Sequence, residues 1–360
     1  MKYKLAQVIL IGVFVYIAAI SFSCSDKTDR TERLLERAEH MMQNHPDSAL
    51  RLLDGVIYPE IYKYLLLMVQ AKDKNYKDIT GDTIIGRAVE YYIKTGDSHN
   101  AALARFYQGR IRMYKGDYKG AIQELLFAEE LAKKEGHYNL LGLINDDIGT
   151  IYRKQLNYDK CIEHYSLLAR DYFSKAGNKK NENVIISKIG NLYLRMEPPQ
   201  TEKALSLYDQ SLEYAVREKD TMQMLTCLSN ISVAYRDIGD YDNAKKYIEE
   251  SILLDKKNEF IFKNYNNLVK IYLAVDDLDS AIYYLNSISG IIEKSQNNHD
   301  LFNYNLLFYS VYESKGDYQT ALNYYKKSQE YLNLIYDESN EKSILEIQEK
   351  YNKTKVEKFI

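Results

Sequence analysis

Three short stretches constrain this chain more than anything else in it. Residues 235–244 read Tyr-Arg-Asp-Ile-Gly-Asp-Tyr-Asp-Asn-Ala, and residues 312–321 read Tyr-Glu-Ser-Lys-Gly-Asp-Tyr-Gln-Thr-Ala. Gly116-Asp117-Tyr118-Lys119-Gly120-Ala121 repeats the second half of the pattern. Gly readily takes the left-handed conformation that ends a helix. Asp accepts from the free amides that begin the next one. The triplet therefore predicts a stop and an immediate restart, which is the joint of a helical hairpin. One hairpin cannot bury its apolar face alone, so a chain of such joints predicts a stack.

Aligning the small residue three places after each turn exposes a register. Ala121, Cys161, Ala204, Ala244, Ala281 and Ala321 are separated by 40, 43, 40, 37 and 40 residues. Nine places earlier stand Tyr152, Tyr235, Tyr272 and Tyr312, with Arg112 in the first unit and Tyr193 displaced by the extra length of Pro198-Pro199. Twelve places earlier stand Gly109, Gly149 and Ser232, with Gly190 again displaced. Four places later come Leu125, Tyr165, Tyr208, Ile248, Leu285 and Tyr325. Small residues at fixed offsets predict close helix approach, and the large ones fill the holes between. Composition agrees: only 4 Pro and 16 Gly in 360 residues leave few interruptions, which favours long helices. The 35 Tyr and absent Trp suit half-buried helix faces, with the ring inside and the hydroxyl at the rim.

Before the register begins, the pattern predicts degenerate helical hairpins over 31–99. Thr31 is placed to cap a first helix carrying Leu34, Leu35, Ala38 and Met42. Asn44-His45-Pro46-Asp47 breaks it, with His40 and His45 exposed on either side, and Ala49, Leu50, Leu53 and Val56 form the next apolar face. Further helices are expected over 61–71 and 82–94. The six repeats then run from 100 to 336, and a charged helix from 337 to 360. There Ile344, Ile347 and Tyr351 share a face, which suits a capping helix, with a coiled coil as the alternative.

The N-terminus reads as a targeting segment. Lys2 and Lys4 precede an apolar run, residues 8–20, followed by Ser21-Phe22-Ser23-Cys24. The run is short for a spanning helix, which needs about 20 residues. The arrangement is that of a lipoprotein-type signal peptide over 1–23, with Cys24 as the lipidation site and 24–30 as a polar tether. A plain signal peptide or an uncleaved anchor remains open, because Ser21 stands where such signals commonly carry Leu. The expectation is a cell-envelope protein facing the periplasm or the cell surface, held to the membrane through Cys24. Removal of the leader would take the net charge from −3 to −5. There is no basic excess to draw nucleic acid. Cys24, Cys161 and Cys227 are too few and too dispersed for a disulfide framework.

The register over 100–335 resembles the tetratricopeptide repeat (TPR) family. Two departures stand out: a period near 40 against the family's usual 34, and the scarcity of the aromatic near the start of each first helix, where Tyr265 comes nearest. The resemblance implies an all-α, right-handed superhelical solenoid of antiparallel hairpins. Pro46-Asp47-Ser48-Ala49-Leu50 and residues 65–74, Leu-Leu-Leu-Met-Val-Gln-Ala-Lys-Asp-Lys, add a likeness to envelope TPR proteins of gut anaerobic Gram-negative bacteria. Longer members of that group continue through a membrane helix into a helix-turn-helix regulator, which this sequence does not contain.

Signals for chemistry are weak. Gly81 to Ala88 imitates a phosphate loop, but Arg87 and Ala88 replace its Lys and Ser/Thr, and no strand precedes it. Cys161 and His164 have the spacing of half a metal site, yet Cys161 occupies the small-residue slot. No metal or cofactor is expected, and no enzyme activity. By the family resemblance, the first helix of each hairpin lines a ligand groove, and Arg110, Asp146, Arg153, Asn191, Arg195, Arg236, Asn266 and Lys270 project there. Asn230 and Asn267 match the family's frequent groove Asn, whose amide bonds a ligand backbone. With five of the first eight basic, the groove is expected to favour an acidic segment or a C-terminal carboxylate. The expected function is a non-enzymatic scaffold or sensor for a protein or peptide. The alternative is a regulator arm that relays binding through the C-terminal helix.

Overall fold

The computed structural model describes residues 30–56, 61–154, 157–294 and 297–335. The leader, Cys24 and the segment 337–360 lie outside them. The described residues are helices joined by turns, with no strand among them, as the all-α expectation required. The chain divides into two compact units, Met1–Ile185 and Ile186–Ile360.

The first unit begins with α1 (30–41), α2 (Pro46–Asp54), α3 (Ile61–Lys74) and α4 (Ile85–Thr95). It continues through α5 (Ser98–Tyr114), α6 (Tyr118–Glu135) and α7 (Tyr138–Lys154). α8 (Tyr158–Lys160) then runs through a π-helical turn, Cys161–Ser166, into α9 (Leu167–Lys175). The division falls within α10 (Lys179–Tyr193). The second unit holds α11 (Thr201–Glu218), α12 (Thr221–Asp237), α13 (Tyr241–Leu254), α14 (Ile261–Ala274), α15 (Leu278–Ile292), α16 (Asn298–Ser314) and α17 (318–335). Within each unit successive helices pack on each other, among them α5 on α6 and α12 on α13, and alternate ones touch as well: α3 on α5, α5 on α7, α12 on α14, and α14 on α16. These alternate helices form an inner layer in each unit. Each is the first helix of its hairpin.

The joints form as their residues require. Gly116, Gly239 and Gly316 sit at φ of 81°, 82° and 77°. At Gly239 the Asp240 N–H donates back to Tyr235 O at 2.9 Å, and the Asp240 carboxylate accepts from Asn243 N at 3.1 Å. Asp117 and Asp317 cap in the same way, accepting from Gly120 N and Thr320 N. Asp276, at φ 60°, takes the glycine's place before α15, and Asp277 is the cap. The joints between hairpins use the same chemistry. Gly96 lies at φ 74°, and Asp97 accepts from Asn100 N at 3.0 Å. Two sequence boundaries need correction. Thr31 lies inside α1 and is buried, so it does not cap that helix. The helix expected from Asp82 begins at Ile85, because the Asp82 carboxylate takes the Lys72 ammonium at 2.8 Å.

Packing explains the register. Each small inner-helix residue lies under the large residue of the following helix. A Cβ at Gly109 would stand 2.9 Å from Leu125 Cγ, and one at Gly190 only 2.7 Å from Tyr208 Cε1. Ser232, in the equivalent slot, tucks its hydroxyl against Ala244 O at 2.6 Å. The tyrosines nine places before the small residue stack on tyrosines of the next helix. Tyr235 pairs with Tyr247, Tyr272 with Tyr284, and Tyr312 with Tyr324, with centroids 5.4–5.7 Å apart and planes within 13°. Those partners lie three places after the small residue. In the Cys161 unit the partner of Tyr152 is Tyr165, four places after. The π-helical turn carries an extra residue and brings Tyr165 to the stacking position.

Two glycines make opposite predictions. Gly190→Ala should displace the fully buried Tyr208 ring and lower stability by about 1–3 kcal/mol. Gly290 lies in α15, and a methyl group there would meet nothing within 4 Å, so Gly290→Ala should raise stability by about 0.5 kcal/mol. Urea midpoints of the two variants check both. The Asp117 carboxyl is held below the usual carboxylate range by the Gly120 N–H and then by Arg112. Its folded value lies below its unfolded one. Its contribution is therefore complete above the ordinary carboxylate pKa and is lost as pH falls through the depressed value. Asp117→Asn should flatten that acid limb, read as urea midpoints between neutral pH and about pH 3.

Candidate functional site: polar side chains of the inner helices

Inner-helix residues that share a rung meet across the stack, and each unit has one polar rung of note. In the first unit Asp73 on α3, Arg110 on α5 and Asp147 on α7 stand 37 residues apart. Arg110 Nε and Nη2 donate to the two oxygens of Asp147 at 2.7 and 3.1 Å, and Nη1 donates to Asp73. Tyr114 donates to the other Asp73 oxygen at 3.1 Å. Burial works against the guanidinium charge, but Asp147 and Asp73 outweigh it, so Arg110 holds its proton more tightly than an ordinary arginine. Arg110 is thus committed to joining three helices.

In the second unit the rung is built of carboxamides. Asn267 Nδ2 donates to Ser232 Oγ at 2.8 Å, and Arg236 Nη1 donates to Asn267 Oδ1 at 2.7 Å. Arg236 also holds Asp237 through Nη2 at 2.7 Å. Farther back along α12, Asn230 Oδ1 accepts from Lys263 Nζ at 3.3 Å, while Asn230 Nδ2 is buried with no acceptor. Asn230 is 8% exposed. Asn264 Nδ2 is likewise buried without an acceptor, although its oxygen takes the Ser251 hydroxyl at 3.2 Å. A buried donor left unsatisfied costs about 1–3 kcal/mol. Lys263 is exposed as a residue, and partial burial lowers its pKa. Lys270, farther along α14, is lowered by burial and then by Arg236. Three cations, Lys263, Arg236 and Lys270, therefore share this face, with Asp237 bound to Arg236.

The remaining sequence candidates fall on both sides of this division. Asp146 is half-buried on α7. Arg153 is exposed in the last turn of α7. Asn191 accepts from the Tyr208 hydroxyl at 2.6 Å and serves the hairpin. Arg195 is exposed but lies beyond the end of α10, in the longer turn closed by Gln200 N donating to Tyr193 O. Asn266 is half-buried on α14. The side chain of His164 lies outside the described residues, and Cys161 Sγ donates to Gly149 O at 3.1 Å, as a packing residue would. Among the described residues no group of three His, Cys, Asp or Glu is placed to hold a metal ion. No described helix is long and apolar enough to cross a membrane. Sequence reading passed over Lys263, Asn264, Asp73 and Asp147. The 37-residue spacing of Asp73, Arg110 and Asp147, one charge alternating in sign down one rung, was the available signal.

Residues 225–258, which hold most of α12 and all of α13, match the tetratricopeptide repeat family model. No curated protein matches the chain by sequence. Several solved structures share the fold. NprR in complex with its cognate peptide NprX is 18% identical with a TM-score of 0.57, over 86% of this chain and 99% of that one. A Rap protein complexed with competence and sporulation factor is 12% identical with a TM-score of 0.56, over 86% and 99%. The signal transduction ATPase PH0952 from Pyrococcus horikoshii, with a tetratricopeptide repeat sensor, is 13% identical with a TM-score of 0.66; the match covers 87% of this chain and 49% of that one. The chain therefore has a TPR-like, all-α repeat fold.

Removing the Arg110 side chain leaves two buried carboxylates without their cation. Arg110→Ala should lower stability by about 3–5 kcal/mol, whereas Arg153→Ala, at an exposed position, should change it by no more than about 0.5 kcal/mol. Chemical denaturation of both variants gives the comparison.

Proposed function

We propose that this chain is a non-enzymatic scaffold or sensor that holds a peptide or a protein segment against the inner helices of its second unit. The observation that carries the reading is Asn230: an amide donor without an acceptor, buried beside a lysine that has no carboxylate bonded to it among the described residues. A peptide carbonyl satisfies Asn230 Nδ2 once Lys263 swings from the Asn230 oxygen to a ligand carboxylate. Arg236 and Lys270 extend the cationic face along the same helices, so the favoured ligand is acidic or ends in a free carboxylate. Two structures of the same fold are complexes, one with the peptide NprX and one with competence and sporulation factor, which supports a peptide or protein ligand. The N-terminal sequence supports a further part of the proposal, that a lipid on Cys24 tethers the protein in the cell envelope.

The test is fluorescence anisotropy with labelled hexapeptide pools: acidic with a free C-terminus, acidic with an amidated C-terminus, and basic. The acidic free-acid pool should bind best. Lys263→Glu and Arg236→Glu should each weaken it at least tenfold, and Asn230→Leu should weaken it without loss of helix content. Equal binding by wild type and the charge-reversed chains would remove the groove from consideration. The direction with pH is set by Lys263. Its pKa lies below the ordinary lysine value, so it loses its charge earlier as pH rises, and affinity for a carboxylate should decline at a lower pH than an ordinary lysine dictates. For the anchor, a labelled fatty acid should appear on the wild-type chain in envelope-bearing cells and be missing from Cys24→Ala.

A further inference from the structure

The first unit contains a cavity that the groove reading does not use. It has a volume of about 410 Å³ and lies between the end of α3, the first halves of α5 and α7, and the turn after α1. That size falls within the roughly 300–1,000 Å³ of small-molecule sites and is far less than an extended peptide needs. Met42, Leu103, Leu140 and Leu143 supply an apolar wall. Three polar side chains face it from one side: Gln70 and Lys74 on α3, and Tyr107 on α5.

These three are what make the cavity a site. Gln70 is 7% exposed and Tyr107 is 2% exposed. Neither the Gln70 amide nor the Tyr107 hydroxyl forms a hydrogen bond with another described residue, and both line the cavity. Buried polar groups are normally bonded, so two of them left open to one cavity point to a ligand that completes them. Lys74 forms no ion pair among the described residues; its ammonium donates to the neutral Gln43 Oε1 at 3.0 Å. The charges around it are otherwise engaged. Glu39 pairs with Lys63 at 3.2 Å, and Asp73 is bound by Arg110. Opposite, His99 Nδ1 and His137 Nε2 stand 3.0 Å apart, which requires one of the two nitrogens to be unprotonated, so the pair does not add two charges. Burial and then Arg110 lower the pKa of Lys74, and an anion beside it would favour its charged form.

We infer that this cavity binds a small carboxylate with an apolar body: the carboxylate on Lys74 and the Tyr107 hydroxyl, the Gln70 amide donating to its second oxygen, and the body against Leu103 and Leu143. The same chemistry has two sources, a free small acid and the C-terminal residue of a peptide. The site is independent of the groove in the second unit, since none of its lining residues belongs to that unit.

The experiment uses the full chain and isothermal titration with four probes: 4-phenylbutyrate, its neutral amide, acetyl-Leu-Leu with a free terminus, and acetyl-Leu-Leu-amide. At least one free acid should bind, and at least tenfold more tightly than its amide. If both acids bind, or the dipeptide binds better, the source is a peptide terminus; if only 4-phenylbutyrate binds, it is a free acid. Lys74→Met should weaken the acid at least tenfold, and Tyr107→Phe severalfold. Leu103→Phe, which narrows the cavity and keeps every polar group, should also weaken it. Circular dichroism and thermal midpoints establish that the variants are folded. Absence of binding by either acid, equal affinity for acid and amide, or an unaffected Lys74→Met chain would overturn the inference whatever the fate of the groove.

Discussion

The packing of most hairpins in this protein depends on how closely their two helices approach at one point. In four of the six units the inner helix presents a glycine or serine there, Gly109, Gly149, Gly190 or Ser232, and at the glycines the following helix lays a large side chain across it. Leu125 over Gly109 and Tyr208 over Gly190 leave no room for even a methyl group. The contact fixes the rotation of both helices about their axes. Rotation in turn decides which side chains stack as aromatic pairs, which are buried between hairpins, and which are left on the inner face. The stacked tyrosines hold the same register independently: Tyr272 on Tyr284 and Tyr312 on Tyr324 stack in units where Val269 and Tyr309 occupy the small-residue slot. Where a π-helical turn shifts the register by one, the stacking partner shifts by one with it.

The same geometry explains why polar groups on the inner helices meet in rungs. Alternate helices touch, so residues about one repeat apart come face to face. In the first unit the rung is a closed electrostatic unit, with one guanidinium between two carboxylates. In the second it is open. Asn267 and Arg236 are satisfied by each other, by Ser232 and by Asp237, but Asn230 and Asn264 each retain a donor with nothing to accept it. A closed rung stabilises the stack. An open one is unfavourable until an acceptor is supplied, and the proposal of a ligand at the second rung rests on that difference.

The hairpin joints, the all-helical class and the small-to-large register were legible in the residues, because each rests on local chemistry: a left-handed Gly, an Asp cap, a side chain small enough to be overlain. The inner-helix polar positions were legible only as a face. Arg110 and Asn191 lie on that face and serve the fold, since Asp73, Asp147 and Tyr208 meet them there from other helices. Arg195 lies beyond the end of α10, which stops at Tyr193. Lys263 and Asn264 were passed over because their importance lies in partners 33 and 13 residues away, Asn230 and Ser251, and not in their own surroundings along the chain.

By itself, then, the sequence determined where the Gly-Asp hairpin joints fall and where a residue must be small, since those follow from φ preferences, capping and side-chain volume within a few residues of chain. Only the tertiary structure decided which polar residues are satisfied and which are not. Hydrogen-bond partners here come from helices a whole repeat apart, and whether an Asn or a Lys finds an acceptor depends on what the neighbouring hairpin places opposite it. The cavity beside Lys74 has the same origin: its walls come from α1, α3, α5 and α7, and no one of them carries the pattern of a site.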